Sequence, residues 1–263
     1  MIIKWAGSKK WLFKKHPNIF PTQYNTYFEP FLGGGANFFN LRPEKSYLSD
    51  INGKLIAVYN ELKNNPEKLF DETNQLIKSH SDDQYYAIRD EFNLTSKPLH
   101  FLYLNRTCYN GIYRENHSGK FNVPIGRRTS SFLPFTKEDF KYFSELLSES
   151  TIKQQGFMET LSHVGEGDFI YIDPPYIKFE NNYESFRKYG KDIFSPEDLG
   201  ALAAKLNELS KKNKILISNF DLDNVKDLFP GSQWNFKSVQ QSSNISGTNS
   251  GRKKMEEVLI YNY

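Results

Sequence analysis

A series of short apolar runs constrains the fold of this chain more than any other feature. The runs end in polar residues or glycine, as the buried strands of a parallel sheet do. They cover Thr26–Pro30, Ser46–Ser49, Ile152–Phe157, Asp168–Ile172, Lys214–Ser218 and Glu256–Asn262. Helical segments separate most of them: Ala36–Leu41 follows three glycines, and Ser195-Pro196-Glu197-Asp198 is a capped helix start. Alternating strands and helices predict a layered α/β domain.

The alternation breaks between residues 61 and 144. Ser81-Asp82-Asp83-Gln84 predicts a capping box before a helix through Asp90, and Pro98–Arg106 predicts another helix. Residues 107–128 are rich in Asn and Gly, with turn signals at Asn110-Gly111 and Ser118-Gly119. We therefore predict an inserted helical domain with a hairpin over residues 61–144, between two parts of the α/β domain, residues 1–60 and 145–263.

Composition excludes several classes of protein. Cys108 is the one cysteine in 263 residues, so an intrachain disulfide and a thiolate metal cluster are excluded. The five histidines lack ligand spacing, so no metal site is predicted. Neither a signal peptide nor a membrane span is evident, and we expect a cytoplasmic protein. A net charge of +3 permits an anionic partner.

The strongest catalytic candidate is Asp173-Pro174-Pro175-Tyr176, which follows the run 168–172 at the strand end where α/β folds bind ligands. Asp173 and the Pro174 carbonyl could each accept a hydrogen from the exocyclic amine of adenine, which would aim its lone pair at an electrophilic methyl group. The prolines fix the backbone, and Tyr176 could stack on an extruded base. The pattern predicts catalysis by positioning without a metal; the alternative is a rigid Asp-Pro turn.

A second candidate, Glu29–Gly35, runs from a strand into a helix, and its glycines allow close approach of the backbone to a cofactor. Phe38 stands where a dinucleotide fingerprint needs a small residue, and no Gly-Lys-Ser/Thr ending follows, so NAD and a P-loop are disfavoured. Asp50 ends the next strand, where an acid can bind the ribose of a nucleoside cofactor or cap a helix. Nearer the N-terminus, Trp5 is predicted to line an apolar pocket and Lys9 to meet a carboxylate, unless this segment is ordinary surface.

Residues 105–128 are the candidate DNA-binding segment. Several cations face the single acid Glu115, with aromatic residues and Asn between them; the cations are Arg106, Arg114, Lys120, Arg127 and Arg128. This mixture suits DNA phosphates and base edges, although a solvated loop has a similar composition. Residues 177–194 share this character and are interpreted as a lid over an extruded base or as a long loop.

Taken in order, the motifs resemble the Dam-like class of DNA adenine methyltransferases. The matching segments are Lys4–Lys9, Glu29–Gly35, Ser49–Asn52, Asn105–Gly111, Gly119–Gly126 and Asp173–Tyr176. The sequence departs from the pattern at Ser8, where a second glycine is common, and at Tyr113 and Glu115–Ser118, which vary among relatives.

The resemblance implies a Rossmann-like, seven-stranded methyltransferase sheet with an inserted target-recognition domain, in which Lys253–Tyr261 forms an antiparallel strand. It also implies S-adenosylmethionine as cofactor and duplex DNA, with a GATC-like or another short site, as partner. The implied cofactor-binding residues are Trp5, Lys9, Phe31, Gly33, Gly35, Asp50, Phe157 and Asp173. The implied DNA-binding residues are Arg106, Tyr109, Asn110, Ile112, Arg114, Asn122 and Pro124.

Two other functions stay open at this point. One is methylation of another planar amine, such as cytosine N4 or a protein glutamine, although such enzymes more often carry Ser or Asn at the place of Asp173. The other is a DNA-binding relative without activity, which the presence of Asp50, Asp173 and Tyr176 argues against. Action beside a cognate restriction endonuclease and solitary action both fit the sequence.

Overall fold

The computed structural model describes residues 1–127, 133–175, 194–219, 225–242 and 254–263. Within these ranges the strands form one seven-stranded sheet in the order β3-β2-β1-β4-β5-β7-β6. Strands β1 to β5 are parallel, and β7 runs antiparallel to both β5 and β6. The strands are β1 (Tyr27–Glu29), β2 (Ser46–Asp50), β3 (Ser150–Gln154), β4 (Phe169–Ile172), β5 (Lys214–Asn219), β6 (Asn235–Ser242) and β7 (Lys254–Tyr261).

Helices cover both faces of this sheet, which confirms the α/β class. In the described ranges they are α1 (Lys10–Lys15), α2 (Ala36–Leu41), α3 (Gly53–Asn64), α4 (Pro66–Lys78), α5 (Asp82–Thr95), α6 (Pro98–Thr107), α7 (Lys137–Leu147), α8 (Phe157–Ser162) and α9 (Pro196–Leu209). The predicted start of α9 is confirmed, since Ser195 and Asp198 form a reciprocal capping box with Pro196 in the first turn. Among the residues that the structure describes, no helix is long and apolar enough to cross a lipid bilayer.

Five of the six predicted strands are confirmed to within two residues, one is corrected, and one further strand was not predicted. The run Ile152–Phe157 was placed too late: the strand is Ser150–Gln154, and Gly156 precedes helix α8, which Phe157 begins. Strand β6 was not recognised, because it is an edge strand whose sequence, Asn-Phe-Lys-Ser-Val-Gln-Gln-Ser, has no apolar run. Polar side chains on an edge strand discourage pairing with another molecule.

Two hydrophobic layers hold the sheet, and strand β4 contributes to both because side chains alternate along a strand. Ile170 and Ile172 pack with the leucines of α9 on one face. Phe169 and Tyr171 pack into the larger layer on the other face. The sheet is therefore the middle of three layers.

The inserted helices share the larger hydrophobic layer with the sheet. Leu69, Tyr85, Phe92 and Phe101 of helices α4, α5 and α6 belong to the same buried cluster as the sheet residues. The predicted boundary at residue 61 falls inside α3 and therefore does not coincide with an element end. The predicted helices at 82–90 and 98–106 are present and extend to Thr95 and Thr107. Ser81 accepts a hydrogen bond from the Gln84 backbone, as its capping role requires.

The predicted hairpin follows α6. Antiparallel bridges join Cys108 to Ile125 and Glu115 to Phe121, and they are isolated bridges without a continuous ladder. Tyr85 stabilises this arrangement from α5, because its buried hydroxyl donates to the Val123 carbonyl at 2.9 Å. We call residues 108–125 the recognition hairpin.

Candidate active site and recognition hairpin

A cavity of about 570 Å³ opens at the carboxyl ends of β1, β2, β3 and β4. Every residue predicted to bind the cofactor lines it: Trp5, Lys9, Phe31, Gly33, Gly35, Asp50, Phe157 and Asp173. Pro174 and Pro175 line it as well. The parallel strands explain this convergence, because their carboxyl ends meet at one edge of the sheet. Tyr176 and residues 177–193 lie outside the described residues.

The loop after β1 is held against the end of β2 by Asp50. One carboxylate oxygen of Asp50 accepts the Gly33 N–H and the other accepts the Asn52 N–H, each at 2.9 Å. Asn52, and not Asp50, caps helix α3 by accepting the Leu55 N–H. Burial raises the pKa of Asp50, and the backbone N–H donors partly oppose that effect. The capping alternative for Asp50 is therefore excluded, which leaves its carboxylate at the cavity wall.

Trp5 fills the opposite side of the same loop. A Cβ atom on Gly33 would lie 2.7 Å from Cδ1 of Trp5, and the backbone of Gly33 has a φ of +47°. Both facts require glycine at this position, because a side chain would clash and the left-handed conformation is costly for other residues. The Tyr59 hydroxyl fixes the loop from behind by donating to the Gly33 carbonyl at 2.9 Å.

Three phenylalanine rings form an apolar wall of the cavity. Phe31 stacks on Phe157 with 5.5 Å between ring centroids, and Phe194 meets both rings edge-on, at 5.7 and 5.6 Å. Phe31 and Phe157 were predicted to lie beside the cofactor, whereas Phe194 was not singled out as a site residue. A planar heterocycle would find aromatic partners here.

Lys9 lies buried between two carboxylates, with a side-chain exposure of 2%. Its Nζ is 3.3 Å from Oδ1 of Asp173 and 3.7 Å from Oε2 of Glu257, and it donates to the Gly7 carbonyl at 3.1 Å. The expectation that Lys9 meets a carboxylate is confirmed, and one such carboxylate is that of Asp173. Burial raises the pKa of Glu257, and the charge of Lys9 opposes that rise.

Further polar groups line the cavity near Asp173. Burial raises the pKa of Glu29 to about 8, although the Tyr27 hydroxyl donates to its carboxylate at 2.9 Å. Asn37 Oδ1 and the Tyr171 hydroxyl are buried without a well-aligned hydrogen bond within the described residues, although Asn37 is near enough to lower the pKa of Tyr171 against the raising effect of burial. Buried polar atoms without partners are costly unless water or a ligand satisfies them. The cavity therefore carries groups that are suited to a polar ligand.

The recognition hairpin presents most of its predicted DNA-binding residues to solvent. Tyr109 is 52% exposed and Ile112 is 36% exposed. Asn110, Arg114 and Pro124 are exposed as well. Asn122 is half-buried, and its Oδ1 accepts a hydrogen bond from Nε of Arg114 at 2.9 Å.

Arg106 is the exception among the predicted DNA-binding residues. It is 6% exposed, its guanidinium donates to the Ile2 carbonyl at 3.2 Å, and it lies over the Phe135 ring with 5.4 Å to the centroid. A guanidinium enclosed in this way does not reach a phosphate or a base edge. In this conformation Arg106 connects α6 to the N-terminal segment, whereas the sequence places it among the DNA-binding residues.

Sequence reasoning also missed partners that are distant along the chain. Glu257 lies on β7 and reaches Lys9 only because β7 inserts next to β5 in the sheet. Tyr113 stacks on Trp5 with 5.6 Å between centroids. No local motif signals either contact.

The fold and the cavity define a class. A parallel sheet with one reversed strand beside β5, a nucleoside-sized cavity at its carboxyl edge and Asp-Pro-Pro after β4 are the features of an α/β methyltransferase. Residues 5–245 match the family model described as D12 class N6 adenine-specific DNA methyltransferase, and the chain belongs to this family.

Related proteins match nearly the whole chain. A DNA adenine methylase of Serratia marcescens is 33% identical over 98% of this chain and 96% of its own length. The type II methyltransferase M.MjaIII of Methanocaldococcus jannaschii is 33% identical over 99% of this chain and 98% of its own. The type II methyltransferase M1.LlaDCHI of Lactococcus lactis subsp. cremoris is 31% identical over 99% and 94%, respectively.

Proposed function

We propose that this chain transfers a methyl group from S-adenosylmethionine to the N6 amine of an extruded adenine within a short site in double-stranded DNA. Membership of an adenine-specific DNA methyltransferase family gives the reaction class. The observation that carries the residue assignment is Asp173 at the wall of the cavity, paired with buried Lys9. A carboxylate in that position can hold an amine beside a methyl donor.

The cavity fits the proposed donor. Its volume of about 570 Å³ lies within the range of small-molecule sites. The Phe31, Phe157 and Phe194 rings provide an apolar face for an adenine ring, and Asp50 ends β2, where an acid meets ribose hydroxyls. Carboxylates at the cavity wall favour a cationic sulfonium. When bound, the donor supplies a methyl group whose bond to sulfur breaks, with the electron pair staying on sulfur.

The protein contributes alignment of the amine. The Asp173 carboxylate accepts one amine hydrogen, and the Pro174 carbonyl accepts the other. These hydrogen bonds draw the nitrogen lone pair out of conjugation with the ring, so that the nitrogen can form the new bond to carbon. Asp173 then receives the proton that the amine gives up and passes it to solvent. Lys9 favours the charged form of Asp173 that this role requires.

The recognition hairpin is the proposed DNA-contacting surface. Tyr109 and Ile112 offer exposed apolar groups at base steps, whereas Arg114, fixed by Asn122, offers a guanidinium for a base edge. Asn110 and Pro124 complete this surface. We exclude Arg106 from the direct contacts because its guanidinium is buried.

A labelling experiment tests the proposed function. The protein is incubated with S-adenosylmethionine labelled in the methyl group and with duplex DNA, and the DNA is then digested to nucleosides. We expect label in N6-methyladenine, and Asp173→Ala should abolish it while the fold is retained. Label in N4-methylcytosine, or none, would contradict the proposal. Sequencing of methylated adenines in a host that expresses the protein then identifies the target, GATC-like or other.

Relatives are named both as DNA adenine methylases and as type II methyltransferases. The second name supports a partner endonuclease. Cleavage of host DNA by a neighbouring gene product, blocked by prior methylation of the mapped site, would identify such a partner. Absence of that cleavage would favour a solitary enzyme.

A further inference from the structure

Tyr113 occupies a place between the donor cavity and the recognition hairpin. Its ring stacks on Trp5, a residue of the cavity wall, with centroids 5.6 Å apart and planes at 21°. On its other side it stacks on Phe101 of α6, at 4.9 Å and 24°. Tyr113 itself belongs to the recognition hairpin, so a single side chain touches both functional regions.

The Tyr113 hydroxyl extends this contact into a polar chain. It donates to Oε1 of Glu115. The same oxygen is 2.7 Å from Nζ of Lys54, which also donates to the Gly119 carbonyl at 3.0 Å. Lys54 lies in the first turn of α3, the helix that begins directly after the cavity residues Asp50–Asn52. The hairpin is therefore fastened to two separate walls of the cavity, through Trp5 and through α3.

The insertion also holds the segment that carries Trp5. Asn105 of α6 accepts the Lys4 N–H and donates to the Lys4 carbonyl, each at 2.8 Å. These paired bonds fix the backbone next to Trp5, so that a shift of the Trp5 ring acts on Tyr113 and is not absorbed by the segment.

From this arrangement we propose that Tyr113 is a positioning residue that couples occupancy of the donor cavity to the conformation of the recognition hairpin. Contact of the donor with Trp5 and with the cavity residues Asp50–Asn52 stabilises the Trp5–Tyr113 stack and the hydrogen-bonded chain of Tyr113, Glu115 and Lys54. This orders the hairpin for DNA, and by linkage bound DNA tightens the hold on the donor by the same factor. The inference rests on the proposed function, because it takes S-adenosylmethionine and DNA as the two ligands.

The test compares two tyrosine variants. Tyr113→Phe keeps both ring stacks and removes the hydrogen bond to Glu115. Tyr85→Phe is the matched control, because it also removes a hydrogen bond from a tyrosine hydroxyl to the hairpin, but Tyr85 does not line the cavity. The dissociation constant of S-adenosylhomocysteine is measured by calorimetry with and without a duplex that carries the mapped target site.

In the wild type we expect DNA to tighten binding of S-adenosylhomocysteine about fivefold, at the low end of typical coupling. The ratio of the two dissociation constants, without and with DNA, should fall toward one in Tyr113→Phe, which keeps the ring stacks but breaks the polar chain. It should stay at the wild-type value in Tyr85→Phe. Hydrogen exchange of residues 112–121 should slow on addition of S-adenosylhomocysteine in the wild type and in Tyr85→Phe, but not in Tyr113→Phe.

Three results would overturn the proposal: a wild-type ratio of one, an unchanged ratio in Tyr113→Phe, or equal losses in both variants, which would mean general loosening of the hairpin. In each of these cases the wild type can still methylate adenine, so the proposed function stands. A wild type that neither binds S-adenosylhomocysteine nor methylates DNA would instead overturn the proposed function and this inference together.

Discussion

The buried lysine of the candidate active site gives the sharpest test of the electrostatic account. Lys9 neutralises Asp173 at 3.3 Å and Glu257 at 3.7 Å, and Lys9→Met removes the charge while keeping an unbranched chain. At an effective dielectric constant of about 20, the gross attraction at 3.3 Å is about 5 kcal/mol. Removal of one partner of a buried pair costs about 3–5 kcal/mol. We expect Lys9→Met to lower the free energy of unfolding by about 3 kcal/mol, because Asp173 is 20% exposed and water screens part of the lost attraction.

The assay is urea unfolding of wild type, Lys9→Met, Glu257→Gln and the double variant. Glu257→Gln removes one of the two acids, so the double variant should be more stable than the sum of the single changes predicts, by about 1–2 kcal/mol. The pKa of Glu257 is already raised by burial and rises further without Lys9, so the folded state then holds a proton that the unfolded state releases. The difference in unfolding free energy between wild type and Lys9→Met should therefore grow from pH 5 to pH 8.

Two results would refute this reasoning. One is a Lys9→Met protein within about 0.5 kcal/mol of wild type, which is the range of surface substitutions. The other is strict additivity in the double variant, which would mean that Lys9 and Glu257 do not interact.

Three further predictions follow from single contacts. Because burial raises the pKa of Glu29 to about 8, the wild-type free energy of unfolding falls as pH rises from 4.5 to 8. The free energy of unfolding of Glu29→Gln should therefore increase relative to wild type by about 2–3 kcal/mol between pH 5 and pH 7. An equal difference between the two proteins at both pH values would contradict this. Gly33→Ala should lower the free energy of unfolding by about 1–3 kcal/mol and weaken donor binding in calorimetry. Gly156→Ala should leave the free energy of unfolding nearly unchanged, because no atom lies within 4 Å of the added Cβ. Arg106→Met should lower the free energy of unfolding by about 2 kcal/mol and leave the DNA affinity of the folded protein unchanged. Arg114→Met should instead weaken binding of the mapped site by about 1–3 kcal/mol and relax the preference for one base; the reverse pattern would return Arg106 to the DNA surface.

The sequence predicts the sheet where strands are buried and fails where they are not. Strands β1, β2, β4 and β5 are apolar because helices cover both of their faces, and apolar runs reveal them. Strand β6 is a polar edge and carries no such signal. The boundary at residue 61 has no local signal for a related reason: within the described residues, helices α3 to α7 share one core with the sheet.

The sequence predicts the residues of the cavity better than it predicts the distant side chains that contact them. Motifs at strand ends converge because parallel strands share one carboxyl edge, so the place of the cavity follows from their order, whereas Phe31 and Phe157 were implied only by the family resemblance. Contacts made by tertiary packing could not. Composition cannot tell a buried arginine from a solvated one, so Arg106 was assigned to DNA together with exposed Arg114. Likewise, Glu257 reaches Lys9, and Phe194 reaches the cavity, from parts of the chain without a motif.

The central claim is that Asp173 acts on the amine, and a single-turnover measurement at saturating donor tests it most directly. Asp173→Asn and Asp50→Asn are compared with wild type on a duplex that carries the mapped site. The account predicts a loss of about 100-fold or more in the transfer rate for Asp173→Asn. For Asp50→Asn it predicts weaker donor binding with the rate largely retained. A wild-type rate in Asp173→Asn would contradict the account.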